Sequence, residues 1–185
     1  MNTKETDHQL IQQVLDGRKA AFGLLVEKYQ HSIYALVHRI VRDETEARDV
    51  AQSVFIKVYE KLGSFNHKSL FSTWLHSIAY NAAISVCRRK KPDLVRLDVL
   101  SGQYLGAEED EANEKEALLR LLEEVLTVLP PEENILIHLF YTSGHSMAEI
   151  SEITGLTVTN IKVKLFRIRK KLLALMENAS VKHLN

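Results

Sequence analysis

The chain has 185 residues, 45% of them hydrophobic, which suits a soluble globular protein of one domain or two small ones. Its 24 Lys and Arg balance 24 Asp and Glu, a sum that would argue against a nucleic-acid binder if charge were spread evenly. It is not: residues 108–124 hold eight acids, whereas residues 88–91 and 162–171 are basic blocks, so partners are read from the segments and not from the total. Three prolines, seven glycines and abundant Leu, Ala, Glu and Lys predict a mostly helical protein. Cys87 is the lone cysteine, which excludes an intramolecular disulfide and fits a reducing compartment. The N-terminal decapeptide MNTKETDHQL has no apolar signal core. No apolar run approaches the ~18 residues of a membrane span. The expectation is a soluble, cytoplasmic chain.

In chain order, Asp7 to Leu15 reads as a short helix that carries Leu10, Ile11, Val14 and Leu15 on one side and ends at Gly17. From Lys19 to Val41, Phe22, Leu25, Val26, Tyr29, Ile33, Leu36, Val37 and Ile40 keep a helical spacing. His31 and His38 share roughly one face of it, but no nearby Cys, Asp or Glu completes a metal-ligand set. Thr45 to Leu62 is the next helix, with Val50, Val54, Val58 and Leu62 pointing inward. Its other faces mix Asp49, Gln52, Ser53, Ile56 and Tyr59, an apolar anchor among orienting polar groups, as a protein–protein contact requires. After Gly63 comes a polar loop, then a helix from Phe71 to Arg89 with Trp74, Leu75, Ile78, Ala82 and Val86 at helical steps. Arg88, Arg89, Lys90 and Lys91 complement its C-terminal dipole, and Pro92 stops it. The loop and helix combine Phe65, Asn66, His67, Lys68, Trp74, His76 and Tyr80; aromatic faces stack on unpaired bases while cations hold a backbone. Trp74 is expected mainly in the core.

Residues 92–113 show no convincing period and form the expected linker between domains 1–91 and 114–178. Leu118, Leu121, Leu122, Val125 and Leu126 mark a helix that the Pro130-Pro131 pair breaks. Pro131 suits a first helical turn, and Glu132 to Tyr141 is expected as one helix. Ser146 and Glu149 make a capping box, Met147, Ile150 and Ile153 follow at helical spacing, and Gly155 supplies a sharp corner. Thr157 caps a second helix with the stripe Val158, Ile161, Leu165, Ile168 and Leu172. Lys162, Lys164, Arg167, Arg169, Lys170 and Lys171 carry its charge, with no acid from Thr157 to Leu173. A helix, a glycine turn and a basic amphipathic helix follow the plan of a helix-turn-helix DNA reader. Thr159, Asn160, Val163, Phe166, Arg167 and Lys170 face away from the stripe; Asn can pair with adenine, Arg with guanine, and Val can meet a thymine methyl. Residues 179–185 are expected to fray. No phosphate-binding glycine loop, metal-ligand spacing or nucleophile elbow supports an enzyme or a cofactor.

The residues taken together resemble the extracytoplasmic-function sigma factors, compact members of the sigma-70 family of bacterial RNA polymerase. AFGLLVEKY resembles the opening of region 2, DVAQSVF the polymerase-binding pattern D-x-x-Q-[DE]-x-F, and STWLHSIAYN the signature T-W-L-x-x-I-A-x-N. The stretch from Leu129 to Leu172 resembles region 4. Four motifs in register span residues 20–175. The resemblance implies an all-α protein of two helical domains, regions 2 and 4, which binds core polymerase and promoter DNA without a cofactor and is often held by an anti-sigma factor.

It also implies residue roles. Asp49, Gln52, Phe55 and Tyr59, with Ser53 and Ile56 beside them, match the helix that docks on the polymerase clamp. Phe65, Asn66, His67, Lys68 and Ser69 match the loop that captures a flipped base of the −10 element, with Tyr80, Asn81, Arg88 and Arg89 on the following helix. Thr157, Thr159, Asn160, Lys162, Val163, Lys164, Phe166, Arg167 and Lys170 belong to the surface expected at the −35 element. Three positions depart from the pattern: Ser53 replaces the usual acid, Thr159 a frequent Gly and Val163 a frequent Ser. Two rivals to the sigma reading are a duplex-binding regulator that works without polymerase and a decoy that sequesters an anti-sigma factor.

Overall fold

The computed structural model describes residues 6–89 and 111–182, among which lie eight α-helices and no strand. The first four helices are α1 (Asp7–Leu15), α2 (Lys19–Val41), α3 (Glu44–Lys61) and α4 (Phe71–Arg89). At the start of α1 the Thr6 hydroxyl accepts from the Gln9 N–H while the Gln9 side chain accepts from the Thr6 N–H. A cap of this kind contributes about 1 kcal/mol. Asp7 then anchors α1 on α2, accepting from the Lys28 ammonium and the Tyr29 hydroxyl at 2.5 Å each. α2 ends at Arg42, which takes the left-handed conformation (φ 60°) usually left to glycine and donates its N–H to the His38 carbonyl. Asp43 caps α3 through the Glu46 N–H at 2.8 Å. The α3 stripe of Val50, Val54, Val58 and Leu62 is buried, as its spacing predicts.

α4 departs from the single-stripe expectation. Phe71, Leu75, Ala79, Ala83 and Ile84 are buried, whereas Trp74, Ile78, Ala82 and Val86 are only partly covered. A second buried line on the same helix holds Thr73, His76 and Tyr80. α4 is sandwiched: α2 and α3 pack on it from the N-terminal half and the helix Met147–Thr154 from the C-terminal half.

The C-terminal helices are α5 (Glu111–Thr127), α6 (Pro131–Ile137), α7 (Met147–Thr154) and α8 (Val158–Lys182). α5 starts three residues earlier than expected, and an acidic start suits a helix dipole. The rest of the expected linker, residues 92–110, lies outside the described residues. Leu121 and Val125 are buried, but Leu118 is exposed, so the inward face of α5 is narrower than its leucines predict. Pro131 opens α6, and the Asn134 amide donates to the Leu126 carbonyl at 2.6 Å across the corner. The single helix expected to Tyr141 instead widens into a π turn over His138–Thr142, closed by the Ser143 N–H on the His138 carbonyl at 2.9 Å. In that turn His138 and Leu139 are buried and Tyr141 is exposed. α8 continues to Lys182 where fraying was expected, since no glycine or proline interrupts residues 174–182; residues 183–185 lie outside the described ones.

The two halves touch. α6 packs on α2 and α7 on α4. The Arg42 guanidinium donates to the Leu129 carbonyl, and Arg88 lies 4.0 Å from Glu132. Among the described residues no helix is long and apolar enough to cross a membrane.

Candidate nucleic-acid and polymerase interfaces

The outer face of α3 displays Asp49, Gln52, Ser53, Ile56 and Tyr59. Ile56 is 56% exposed, a large apolar group held in water by a rigid helix. Tyr59 packs edge-on against Phe22, with ring centroids 5.0 Å apart, which fixes its ring beside Ile56. The Ser53 hydroxyl is turned back onto the Asp49 carbonyl at 2.9 Å, so it offers less to a partner than the acid it replaces. Phe55 is half-buried and lines a groove between α2 and α3 with Val26, Gln30, His31, Tyr34 and Gln52. His38, on the same helix as His31, stacks on Tyr34 at 5.6 Å.

The loop before α4 is built on an aromatic column. Phe65 is 8% exposed and packs against Trp74 (5.1 Å) and Phe71 (5.7 Å). Phe65 was expected to face a base; its ring is instead the floor that holds the loop, because three aromatic groups close around it. His67 lies above it at 4.6 Å in a left-handed conformation (φ 56°), with His8 of α1 at 5.1 Å on its other side. The Asn66 side-chain oxygen accepts from the Lys68 N–H at 3.2 Å, shaping the turn. Asn66, His67 and Lys68 are exposed, Ser69 is half-buried and Leu70 is exposed. Sequence reasoning missed His8 and Leu70; an exposed leucine in a polar loop was the available signal for the second, and nothing local pointed to the first.

Along α4, Asn81, Arg88 and Arg89 reach solvent but Tyr80 does not. The Asn81 amide donates to the Ser77 carbonyl at 2.8 Å and Arg89 Nε to the Ser85 carbonyl at 3.2 Å. Tyr80 is buried within reach of the Glu132 charge of α6, and burial first, then that charge, pushes its hydroxyl up, with Arg88 opposing. In this closed arrangement, then, Tyr80 is separated from the exposed residues with which it was grouped.

The helix-turn-helix forms as its sequence predicts. The Ser146 hydroxyl accepts from the Glu149 N–H, and the Glu149 carboxylate accepts from the Ser146 N–H at 2.8 Å. These bonds to Ser146 hold the Glu149 carboxyl below its ordinary range. Gly155 turns the chain at φ 74°, and the Ser151 hydroxyl donates to the Leu156 carbonyl at 2.6 Å inside the corner. Thr157 caps α8 through the Asn160 N–H at 3.2 Å. Ile161, Leu165, Ile168 and Leu172 are buried, while Val158 sits at the rim in the first turn. Opposite them Thr159, Asn160, Lys162, Val163, Phe166, Arg167 and Lys170 are exposed, and Lys164 is half-buried. Lys170 Nζ lies 4.8 Å over the Phe166 ring, a cation–π contact that steadies an exposed aromatic. The surface is polar and basic at its edges with an apolar centre of Val163 and Phe166, the chemistry of a major-groove reader.

Comparison with known proteins agrees with this layout. Residues 25–92 match the Sigma-70 region 2 family and residues 119–172 match Sigma-70, region 4. The RNA polymerase sigma-H factor of Pseudomonas aeruginosa is 36% identical over 180 residues, 92% of this chain and 93% of that protein. The ECF RNA polymerase sigma factor SigW of Bacillus subtilis is 33% identical over 172 residues, 88% of this chain and 92% of that one. In fold, the chain is similar to CnrH, solved with the cytosolic domain of CnrY, at a TM-score of 0.67 and 24% identity over 94% of this chain and 99% of that one. RpoE of Bartonella quintana, solved with the anti-sigma factor NepR, gives 0.63 and 21% over 84% and 96%. On both region models and on full-length relatives of this identity, the chain belongs to the extracytoplasmic-function group of the sigma-70 family and is an RNA polymerase sigma factor.

Proposed function

We propose that the three exposed faces divide the work of a promoter-specificity subunit. The α3 face of Asp49, Gln52, Ile56 and Tyr59, with Phe55 in the adjoining groove, docks on the clamp of core polymerase. The loop from Asn66 to Ser69, with Asn81, Arg88 and Arg89 beyond it, holds the unpaired −10 strand. The α8 face from Thr159 to Lys170 reads the −35 duplex. Cationic contacts to phosphate position the protein and make binding salt-dependent, whereas Asn160, Val163 and Arg167 meet base edges. Opening needs no covalent step and no cofactor: bases that have left the helix gain stacking and hydrogen bonds that paired bases cannot reach, so binding favours the melted state. Such a protein works in the cytoplasm.

The observation that carries the reading is the coexistence, on one chain, of an exposed basic helix-turn-helix face and an exposed apolar anchor, Ile56, ringed by polar groups on α3. A regulator acting on duplex DNA alone leaves the α3 face without work. An anti-sigma factor is a further partner, as the NepR complex of the B. quintana relative suggests by analogy. The test is footprinting of promoter DNA by the reconstituted holoenzyme. Protection at −35 that depends on α8, with permanganate-reactive thymines at −10 that depend on Asn66, is the expected pattern. Protection at −35 by the free chain with no reactive thymines in the holoenzyme would overturn it.

A further inference from the structure

Three imidazoles meet where α6 and α7 pack on α2 and α4. His76 of α4 is 7% exposed and His138, at the head of the π turn, is 9% exposed. His145, in the loop before α7, has its ring 5.2 Å from that of His76 at 70°. His76 Nδ1 lies 2.7 Å from the Ser72 carbonyl, which can only accept, so that nitrogen carries the proton and Nε2 is the basic site. His138 Nε2 lies 3.2 Å from the Ser143 hydroxyl, and its Nδ1 is buried with no hydrogen-bond partner. The charged and titratable groups that bear on His138 are Arg39 from α2, His76 from α4 and His145 from the lead into α7, none of them an acid. Glu149 of α7, the acid beside His145, gives one oxygen to its own helix cap and holds the other 3.9 Å from His145 Nδ1. No group of three or more ligating residues able to hold a metal occurs among the described residues.

We propose that this cluster is a proton-operated latch between the two halves: protonation of His138, with His76 alongside, parts α6 and α7 from α2 and α4 and uncovers the Tyr80 side of α4. A proton on His138 brings a cation into a buried site beside the Arg39 guanidinium, and of the two N–H groups of that imidazolium only Nε2, beside the Ser143 hydroxyl, has an acceptor. Separation removes both penalties, because Arg39 and His76 stay with the N-terminal half. The same contact brings the Glu132 charge to bear on the buried Tyr80 and to 4.0 Å from Arg88, so opening also frees part of the face assigned to the −10 strand. That last consequence rests on the proposed −10 role; the opening does not.

The direction follows from linkage. In the closed arrangement burial, then Arg39 and the other two imidazoles, hold His138 at about 4 against an ordinary 6.5. Burial also lowers His76. A base depressed in the closed form stabilises that form above about pH 6.5, and the stabilisation is lost as pH falls toward 4. Between pH 7.5 and 5.5 proton uptake by His138 alone raises the open-to-closed ratio about tenfold.

The experiment uses the free full-length chain, so it is independent of any promoter role. Small-angle scattering reports compactness at pH 7.5 and 5.5, histidine NMR follows His138, and far-UV circular dichroism confirms intact helices. Expansion at pH 5.5 that tracks His138 protonation is expected, with His138→Leu staying compact at both pH values. Arg39→Gln, which removes the repelling charge without touching the C-terminal half, is expected to move opening to lower pH; it carries the test should His138→Leu misfold. Unchanged dimensions while His138 protonates, or equal expansion in wild type and Arg39→Gln, would overturn the latch.

Discussion

The Arg42 guanidinium donates a hydrogen bond to the carbonyl of Leu129, 87 residues further along the chain. The same residue ends α2 in a left-handed conformation at φ 60°, which costs a side-chain-bearing residue roughly 1–2 kcal/mol. A glycine would close α2 without that cost, so the side chain serves the contact between halves. Arg42→Gly should leave the melting temperature of the N-terminal half unchanged or raised, while scattering shows a more extended chain at pH 7.5. A compact Arg42→Gly protein would mean the halves are held by packing alone.

Ile56 offers a second test. It is 56% exposed and contributes little to the core, so Ile56→Asp should leave thermal stability unchanged. As the apolar anchor of the α3 face it should weaken core-polymerase affinity by more than about 1 kcal/mol. Co-elution with core polymerase and a fluorescence titration measure this; wild-type affinity would remove α3 from the interface.

Asn66 shapes its own loop through the Lys68 N–H, so alanine would confuse geometry with recognition. Asn66→Asp keeps the acceptor and loses the amide donor. The expected outcome is normal duplex binding by the holoenzyme with fewer permanganate-reactive thymines at −10. A wild-type footprint would sink the assignment.

Arg167 projects from the exposed face of α8. Arg167→Ala should cost ~1–3 kcal/mol on a cognate −35 element and little on a scrambled one. Equal loss on both would make Arg167 a phosphate contact.

Gly155 tests the corner of the helix-turn-helix. A Cβ there meets nothing within 4 Å, so only its φ of 74° resists substitution. Gly155→Ala should therefore destabilise the C-terminal half by roughly 1–2 kcal/mol through backbone strain, read by thermal melting. Loss of −35 binding with unchanged melting would contradict that cause.

Much of this architecture is legible in the sequence because its signals are local. The Ser146–Glu149 box, the Gly155 corner and the stripes of α3 and α8 each depend on residues within a few positions of one another. Spacing cannot reveal burial by a distant partner. Thr73 reads as an ordinary position on α4, and His76 and Tyr80 as part of a strand-binding face, yet all three are buried on a helix that α7 also packs against; Phe65 reads as a loop aromatic until Trp74 and Phe71 enclose it. The π turn at His138 is equally silent, since its apolar pattern also fits an α-helix. His8 reaches His67 only through the docking of α1, which Asp7 secures on α2.

Transcription from a promoter library by purified bacterial core polymerase, with and without this protein, decides whether the chain directs initiation. Initiation that appears only when the protein is added, from promoters sharing one −35 and one −10 sequence, is the predicted result. Core binding without initiation from any promoter would rule out a promoter-specificity subunit, as would specific operator binding by the free chain with no effect on polymerase.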